Sequence, residues 1–162
     1  MSQVQWLVDY IATAFQGVTL GGGIDIHAAQ SMDDYGNPEE DWLSRSAERT
    51  DWRRVKLATL QPRFWAIAFL DAAGLRFYMP AIMTELVIHG DDTNNLSAAL
   101  LSGLAVTPAG LIKETPFDEL FNSAQRAAII RYLKYVLHNA TALDTGQAAR
   151  RLRDIQTRTG AR

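Results

Sequence analysis

The sequence predicts a mainly α fold: a single compact multi-helix domain over residues 1–162, with short connections and little or no sheet. Three observations carry that prediction. Apolar residues in the long segments recur at helical rather than strand spacing. Pro, Gly, Asp and Ser stand where helices start and stop. The 162 residues, 48% hydrophobic and 21% charged, have the length and composition of one ordinary soluble globular domain.

Val4, Leu7, Val8, Ile11 and Phe15 fall on one helical face, and Gly17 is placed to end that first helix. The run Leu20-Gly21-Gly22-Gly23-Ile24-Asp25-Ile26-His27 interrupts the chain. Asp25 is then expected to cap a short helix reaching about Ser31, because its carboxylate can accept first-turn N–H groups that have no other partner. Asp33-Asp34-Tyr35-Gly36-Asn37-Pro38 is dense in turn formers and breaks it. Pro38, followed by Glu39, Glu40 and Asp41 at the positive end of the dipole, opens a helix expected to reach about Glu48.

Pro62 is expected to start the next helix, with Phe64, Ile67, Ala68 and Asp71 on one face and Gly74 as its stop. Leu75-Arg76-Phe77-Tyr78 is too short to classify. Pro80 is expected to open a further helix, with Ile82/Leu86 and Met83/Val87 on an apolar stripe up to His89-Gly90. Asp91-Asp92-Thr93-Asn94-Asn95 reads as a polar surface loop, and Leu96 to Leu104 as either a helix or a buried extended piece. Ser123 is expected to cap a helix that buries Ile129, Tyr132, Leu133 and Val136 and exposes Arg126, Arg131 and Lys134. A mostly polar helix, about Thr145 to Thr157, closes the chain, making residues 145–162 a basic helix or frayed tail.

Charge and composition remove several function classes. The absence of cysteine excludes disulfides, thiolate metal sites and cysteine nucleophiles, and fits a reducing cytoplasm. The first seventeen residues lack a basic leader, and no apolar run reaches membrane-spanning length, so a cytoplasmic address without membrane attachment is expected. A net charge of −2 gives no general attraction for nucleic acid, which is not an expected partner. The distribution is uneven. Asp33, Asp34, Glu39, Glu40, Asp41, Glu48 and Asp51 outnumber Arg45 and Arg49 early in the chain, while Arg150, Arg151, Arg153, Arg158 and Arg162 dominate its end.

The motifs offer little chemistry. The glycine run lacks the lysine and hydroxyl residue of a phosphate loop and the strand of a dinucleotide fingerprint, and Asp25 would sit where a phosphate must go. It reads as a bend and a cap. His27, His89 and His138 are far apart; His89 with Asp91 and Asp92 could supply metal ligands, yet the spacing matches no established motif. His138 reads as a helix C-terminal cap. No G-x-S-x-G occurs, and Asp71 with Glu85 form the carboxylate pair that a glycosidase-like reading would use. No catalytic residue, metal or cofactor is assigned.

Two segments together resemble a known family. Gly17-Val18-Thr19-Leu20-Gly21-Gly22-Gly23-Ile24 followed by Asp33-Asp34-Tyr35-Gly36, and Phe69-Leu70-Asp71-Ala72-Ala73-Gly74-Leu75-Arg76-Phe77-Tyr78-Met79-Pro80-Ala81-Ile82-Met83, are similar to the signatures of a bacterial family known only as a domain of unknown function. Asp51-Trp52-Arg53-Arg54-Val55 resembles its connecting segment, and Phe121 to Ala128 the start of its C-terminal helix. Gly22 departs from the pattern, where a polar residue is expected, as does Asp25, where serine or threonine is common. The resemblance implies no reaction and carries no catalytic residues. By analogy of kind with small bacterial immunity proteins, it suggests a role in neutralising a toxin.

The residues then support one expectation and one alternative. The expectation is a non-catalytic cytoplasmic binding protein, an immunity protein in its sharper form. Asp33, Asp34, Tyr35, Glu39, Glu40, Asp41 and Trp42 would meet the basic surface of a protein partner. Asp71, Arg76 and Tyr78 are expected to form a structural network, with Arg76 reaching Asp33, Asp34 or Asp71 and pinning the first loop to the central helices. The alternative is a small hydrolase-type enzyme using acidic residues, with or without a metal.

Overall fold

The computed structural model describes residues 1–90, 93, 95–139 and 142–159. The chain order is α1 (Gln3–Ala14), α2 (Ile26–Asp33), α3 (Pro38–Ser44), a 3-10 turn (Trp52–Arg54), α4 (Leu57–Leu60), a 3-10 segment (Gln61–Phe69), α5 (Ala72–His89), α6 (Asn95–Gly103), β1 (Leu111–Ile112), β2 (Thr115–Pro116), α7 (Phe117–Leu120), α8 (Ser123–Asn139) and α9 (Ala142–Thr159). The fold is mainly α, and its only sheet among the described residues is the antiparallel β1–β2 hairpin, paired Leu111 to Pro116 and Ile112 to Thr115. Asp91, Asp92 and Asn94 of the expected polar loop lie outside the described residues, as does Arg162 of the basic tail.

The centre is α5. Leu75, Phe77, Met79, Ile82 and Met83 are buried around its whole circumference, as expected of a helix with no polar face. α1, α4, α6 and α7 pack against it, α8 covers α1, and α9 closes over α6 and α8. α2, α3 and the 3-10 segment Gln61–Phe69 form a second layer at one side. Phe15 and Phe117 both meet Phe121 edge-on, at centroid separations of 6.3 and 5.5 Å. Trp52 belongs to this core, and its indole N–H donates to the Phe15 carbonyl at 3.0 Å.

α5 corrects the sequence reading in two places. Gly74 does not stop a helix; it lies in the first turn of α5, where its N–H donates to Asp71 Oδ1 at 2.8 Å. Pro80 does not open one; it sits inside α5 and leaves the Arg76 carbonyl without its helical donor. Both residues disfavour a helix locally, but burial on every side outweighs that preference. The helix expected from Pro62 is instead a 3-10 stretch, Gln61–Phe69, broken at Arg63 (φ −115°, ψ 26°) and ending before α5.

Smaller corrections follow the same logic. α3 ends at Ser44, not near Glu48. Leu96 to Leu104 resolves in favour of helix, as α6. Asn122, not Ser123, caps α8: Asn122 Oδ1 accepts from Gln125 N at 2.9 Å, and Gln125 Oε1 accepts from Asn122 N at 3.1 Å.

Gly74 is required by close approach. A Cβ there would stand 2.6 Å from the Ile24 carbonyl oxygen, a backbone atom that cannot step aside. Gly74→Ala is therefore expected to destabilise the protein by about 1–3 kcal/mol through overpacking, despite the better helix propensity of alanine. A melting temperature at or above wild type by circular dichroism would contradict that.

Candidate functional site

The glycine run sets the position of everything around it. Gly21 adopts φ +57°, and the bend it creates brings Asp25 to the start of α2. Asp25 is completely buried. Its Oδ1 accepts from His27 N (3.0 Å) and Ala28 N (2.9 Å), and its Oδ2 from Ser44 Oγ (2.6 Å) and Arg49 Nη2 (2.9 Å). Arg49 Nη1 also donates to the carbonyls of Gly21 and Gly23, each at 3.1 Å. The helix N-terminus that could hold an anion is thus filled by the chain's own carboxylate. A buried charge requires such partners, and here they tie the glycine loop, α2, α3 and the segment after α3 into one unit.

Beside this knot, Glu40 on α3 takes a fork from Arg63, Nε to Oε2 at 3.0 Å and Nη2 to Oε1 at 3.1 Å. His27 Nδ1 lies 2.9 Å from Glu40 Oε2. Glu40 is accordingly buried, which removes it from the expected acidic surface. Of the three acids in the first turn of α3, it is the one that turns inward. Burial alone would raise its pKa, but the hydrogen bonds and charges of Arg63 and His27 outweigh that and hold it below the ordinary glutamate value of 4.5.

Because folded Glu40 binds a proton less readily than unfolded Glu40, its contribution to stability is complete above the unfolded-state value and fades as pH falls through the lower folded one. Glu40→Gln is therefore expected to remove part of the acid sensitivity below about pH 4.5 while lowering stability at neutral pH. Parallel urea titrations between pH 3 and 7 measure it, and identical pH slopes for both proteins would contradict it.

The tip joining α2 to α3 is built with equal care. Ser31 Oγ donates to Asp41 Oδ1 (2.7 Å) and accepts from Asn37 N (3.0 Å), while its carbonyl accepts from Gly36 N (2.6 Å). Asp34 Oδ2 takes the Gln30 amide at 3.1 Å, and Asn37 Oδ1 caps α3 through Glu39 N at 3.0 Å. These contacts hold Tyr35 at φ +56°, a left-handed conformation uncommon for a bulky residue. The side chain so placed is 99% exposed, and Trp42 (65%) and Met32 (51%) are exposed on the adjoining helices. Asp34, Glu39 and Asp41 are exposed with them, and Asp33 is half-buried at the end of α2. The result is a braced loop presenting aromatic and acidic groups to solvent. Met32 was not legible as part of it, because its exposure depends on where α2 packs.

Asp71 and Tyr78 each accept a backbone N–H from the stretch that leads into α2. Asp71 Oδ1 accepts from Ile24 N at 3.1 Å, and the Tyr78 hydroxyl accepts from Ile26 N at 2.9 Å. Burial pushes the Tyr78 pKa up to about 12, so it stays a neutral phenol. Arg76 does not join them: it is half-buried on α5, and among the described residues no carboxylate lies within ion-pairing distance of it. The backbone N–H groups of Ile24 and Gly74, not an arginine, donate to Asp71 Oδ1.

Asp71 and Glu85 are not brought together as a carboxylate pair. Asp71 precedes α5 and Glu85 lies fourteen residues along it, a separation of roughly 21 Å at the helical rise, far beyond any glycosidase carboxylate pair. Glu85 is instead engaged by Leu57 N (2.9 Å), Lys56 (3.6 Å) and His89 (3.7 Å). His138 Nδ1 lies 2.7 Å from the Lys134 carbonyl of its own helix. Among the described residues no three His, Asp or Glu side chains gather as a metal site, and Asp91 and Asp92 lie outside those residues. No helix among them is long and apolar enough to cross a membrane.

The family model that matches is the family of unknown function DUF6714, over residues 4–155. The chain belongs to that family. The glycine bend, the α2–α3 tip and the whole of α5 all fall within the matched DUF6714 region. No curated protein and no solved structure matches the chain.

Proposed function

We propose that this DUF6714 chain is a non-catalytic bacterial binding protein of the cytoplasm that docks a basic protein partner through the α2–α3 tip. The observation that carries the reading is the fully exposed Tyr35, held at φ +56° by the Ser31 and Asn37 hydrogen bonds. A strained, solvent-facing aromatic adds nothing to a core, but a rigid tyrosine loses little entropy when a partner covers it. Trp42 and Met32 supply further apolar area, and Asp34, Glu39 and Asp41 supply the charge that speeds capture of a positive surface. Asp33 sits at the rim of the patch, and Glu40 braces it from within.

In its sharper form the partner is a cognate toxin and the chain its immunity protein. Purified chain mixed with the toxin encoded beside it should form a stoichiometric complex whose association rate falls several-fold from 50 to 300 mM salt. A complex with an association rate indifferent to salt would exclude the acidic tip as the docking surface.

A further inference from the structure

A concave site lies away from the tip. The 3-10 segment Gln61–Phe69 and α6 diverge to leave a groove of about 480 Å³, within the range of roughly 300–1,000 Å³ typical of small-molecule sites. Its walls are mostly apolar, formed by Phe64 and Trp65 of the 3-10 segment, Ala99 and Ser102 of α6, and Ile112 and Lys113 of the hairpin. Trp65 is 67% exposed at the rim and meets Phe64 at a centroid separation of 4.9 Å.

The charged group in this lining is Lys113. It occupies, with Glu114, the two-residue turn between β1 and β2, at φ +49° and +63° respectively. Such turns favour Asn-Gly, so a lysine and a glutamate there are held against their backbone preference. Lys113 Nζ donates to the Ala68 carbonyl at 2.7 Å and, at longer range, to the Ile67 carbonyl at 3.4 Å. An ammonium has three donors, and among the described residues no carboxylate pairs with it. Burial lowers its pKa, against the pull of the Asp71 charge, so the cation is partly desolvated, with no direct counter-ion among the described residues.

We propose that the groove is a binding site for a small amphipathic monoanion, a medium-chain carboxylic acid, with its alkyl chain between Trp65 and α6 and its carboxylate at Lys113 Nζ. A carboxylate can accept the remaining ammonium donor and restore the solvation that burial removed. A single cation with the negative charge of Asp71 near it suits one negative charge better than the two of a phosphate monoester. The proposal is independent of the α2–α3 tip: the groove lining contains neither Tyr35 nor Trp42, and its test needs no protein partner.

Isothermal titration of the full chain with decanoate, decylamine and decyl phosphate, each below micelle formation, tests it. Decanoate should bind saturably at one site per chain and shift the tryptophan emission, with the other two at least about ten-fold weaker. Lys113→Met should weaken decanoate about ten-fold, yet it also uncaps the Ile67 and Ala68 carbonyls and can loosen the hairpin. Ser102→Phe, at an exposed position of α6, fills the groove without touching that cap and should abolish binding at an unchanged melting temperature. Absence of saturable decanoate binding, equal affinity for decylamine, tighter binding of decyl phosphate, or undiminished decanoate binding by Ser102→Phe would each overturn the assignment.

Discussion

Asp25→Ala should lower the melting temperature by roughly 10 °C, the largest stability effect expected of any single polar side chain in this protein. The substitution removes an N-cap, worth about 1 kcal/mol, together with charge-assisted hydrogen bonds from Ser44 and Arg49 worth about 2 kcal/mol more. Arg49 is 41% exposed and can recover water, which keeps the total near ~3 kcal/mol rather than the larger penalty of a fully buried orphan charge. Asp25→Asn keeps an acceptor for the α2 N–H groups and should lose only part of this. Thermal melts followed at 222 nm decide it, and a shift of less than about 2 °C for Asp25→Ala would show that the glycine loop is held by other contacts.

The second large effect concerns binding. As anchors of the proposed interface, Tyr35 and Trp42 should each cost the partner complex about 2 kcal/mol or more, some 30-fold, when replaced by alanine. Their exposure means that neither contributes to the core, so both variants should melt within a degree or two of wild type. Tyr35→Ala leaves the left-handed backbone in place and separates side-chain recognition from loop shape. Tyr35→Gly should relieve the strain and even stabilise the fold slightly while still losing the partner. Loss of affinity only alongside loss of stability would mean that the tip shapes α2 and α3 and does not itself dock.

How much of this was legible varies with the range of the deciding interaction. α1 was readable because its stripe, from Val4 to Phe15, is complete within a few turns. The α2 cap was readable because Asp25 reaches N–H groups only two and three residues on. α5 was not: Gly74 and Pro80 are local helix breakers, and what overrides them is the ring of helices packed around them. Glu40 looked like its neighbours Glu39 and Asp41 until α3 placed it against Arg63, 23 residues further along. Arg76 is the reverse case: it stands five residues from Asp71 in sequence, but the backbone N–H groups of Ile24 and Gly74 take Asp71 Oδ1. The Lys113 groove gave no sequence signal, since its walls come from segments separated by tens of residues and made of commonplace alanines and aromatics. The acidic tip lies between these cases, because its composition is visible in one short run while its outward presentation depends on the Ser31, Asn37 and Asp41 bonds.

Site-directed photo-crosslinking tests the central claim most directly. A benzophenone amino acid placed at position 35, and separately at the exposed position 134 of α8, would be irradiated with the purified partner. A single covalent complex from position 35, lost at high salt and absent from position 134, is the expected result. Efficient crosslinking from position 134 with none from position 35 would contradict docking through the α2–α3 tip.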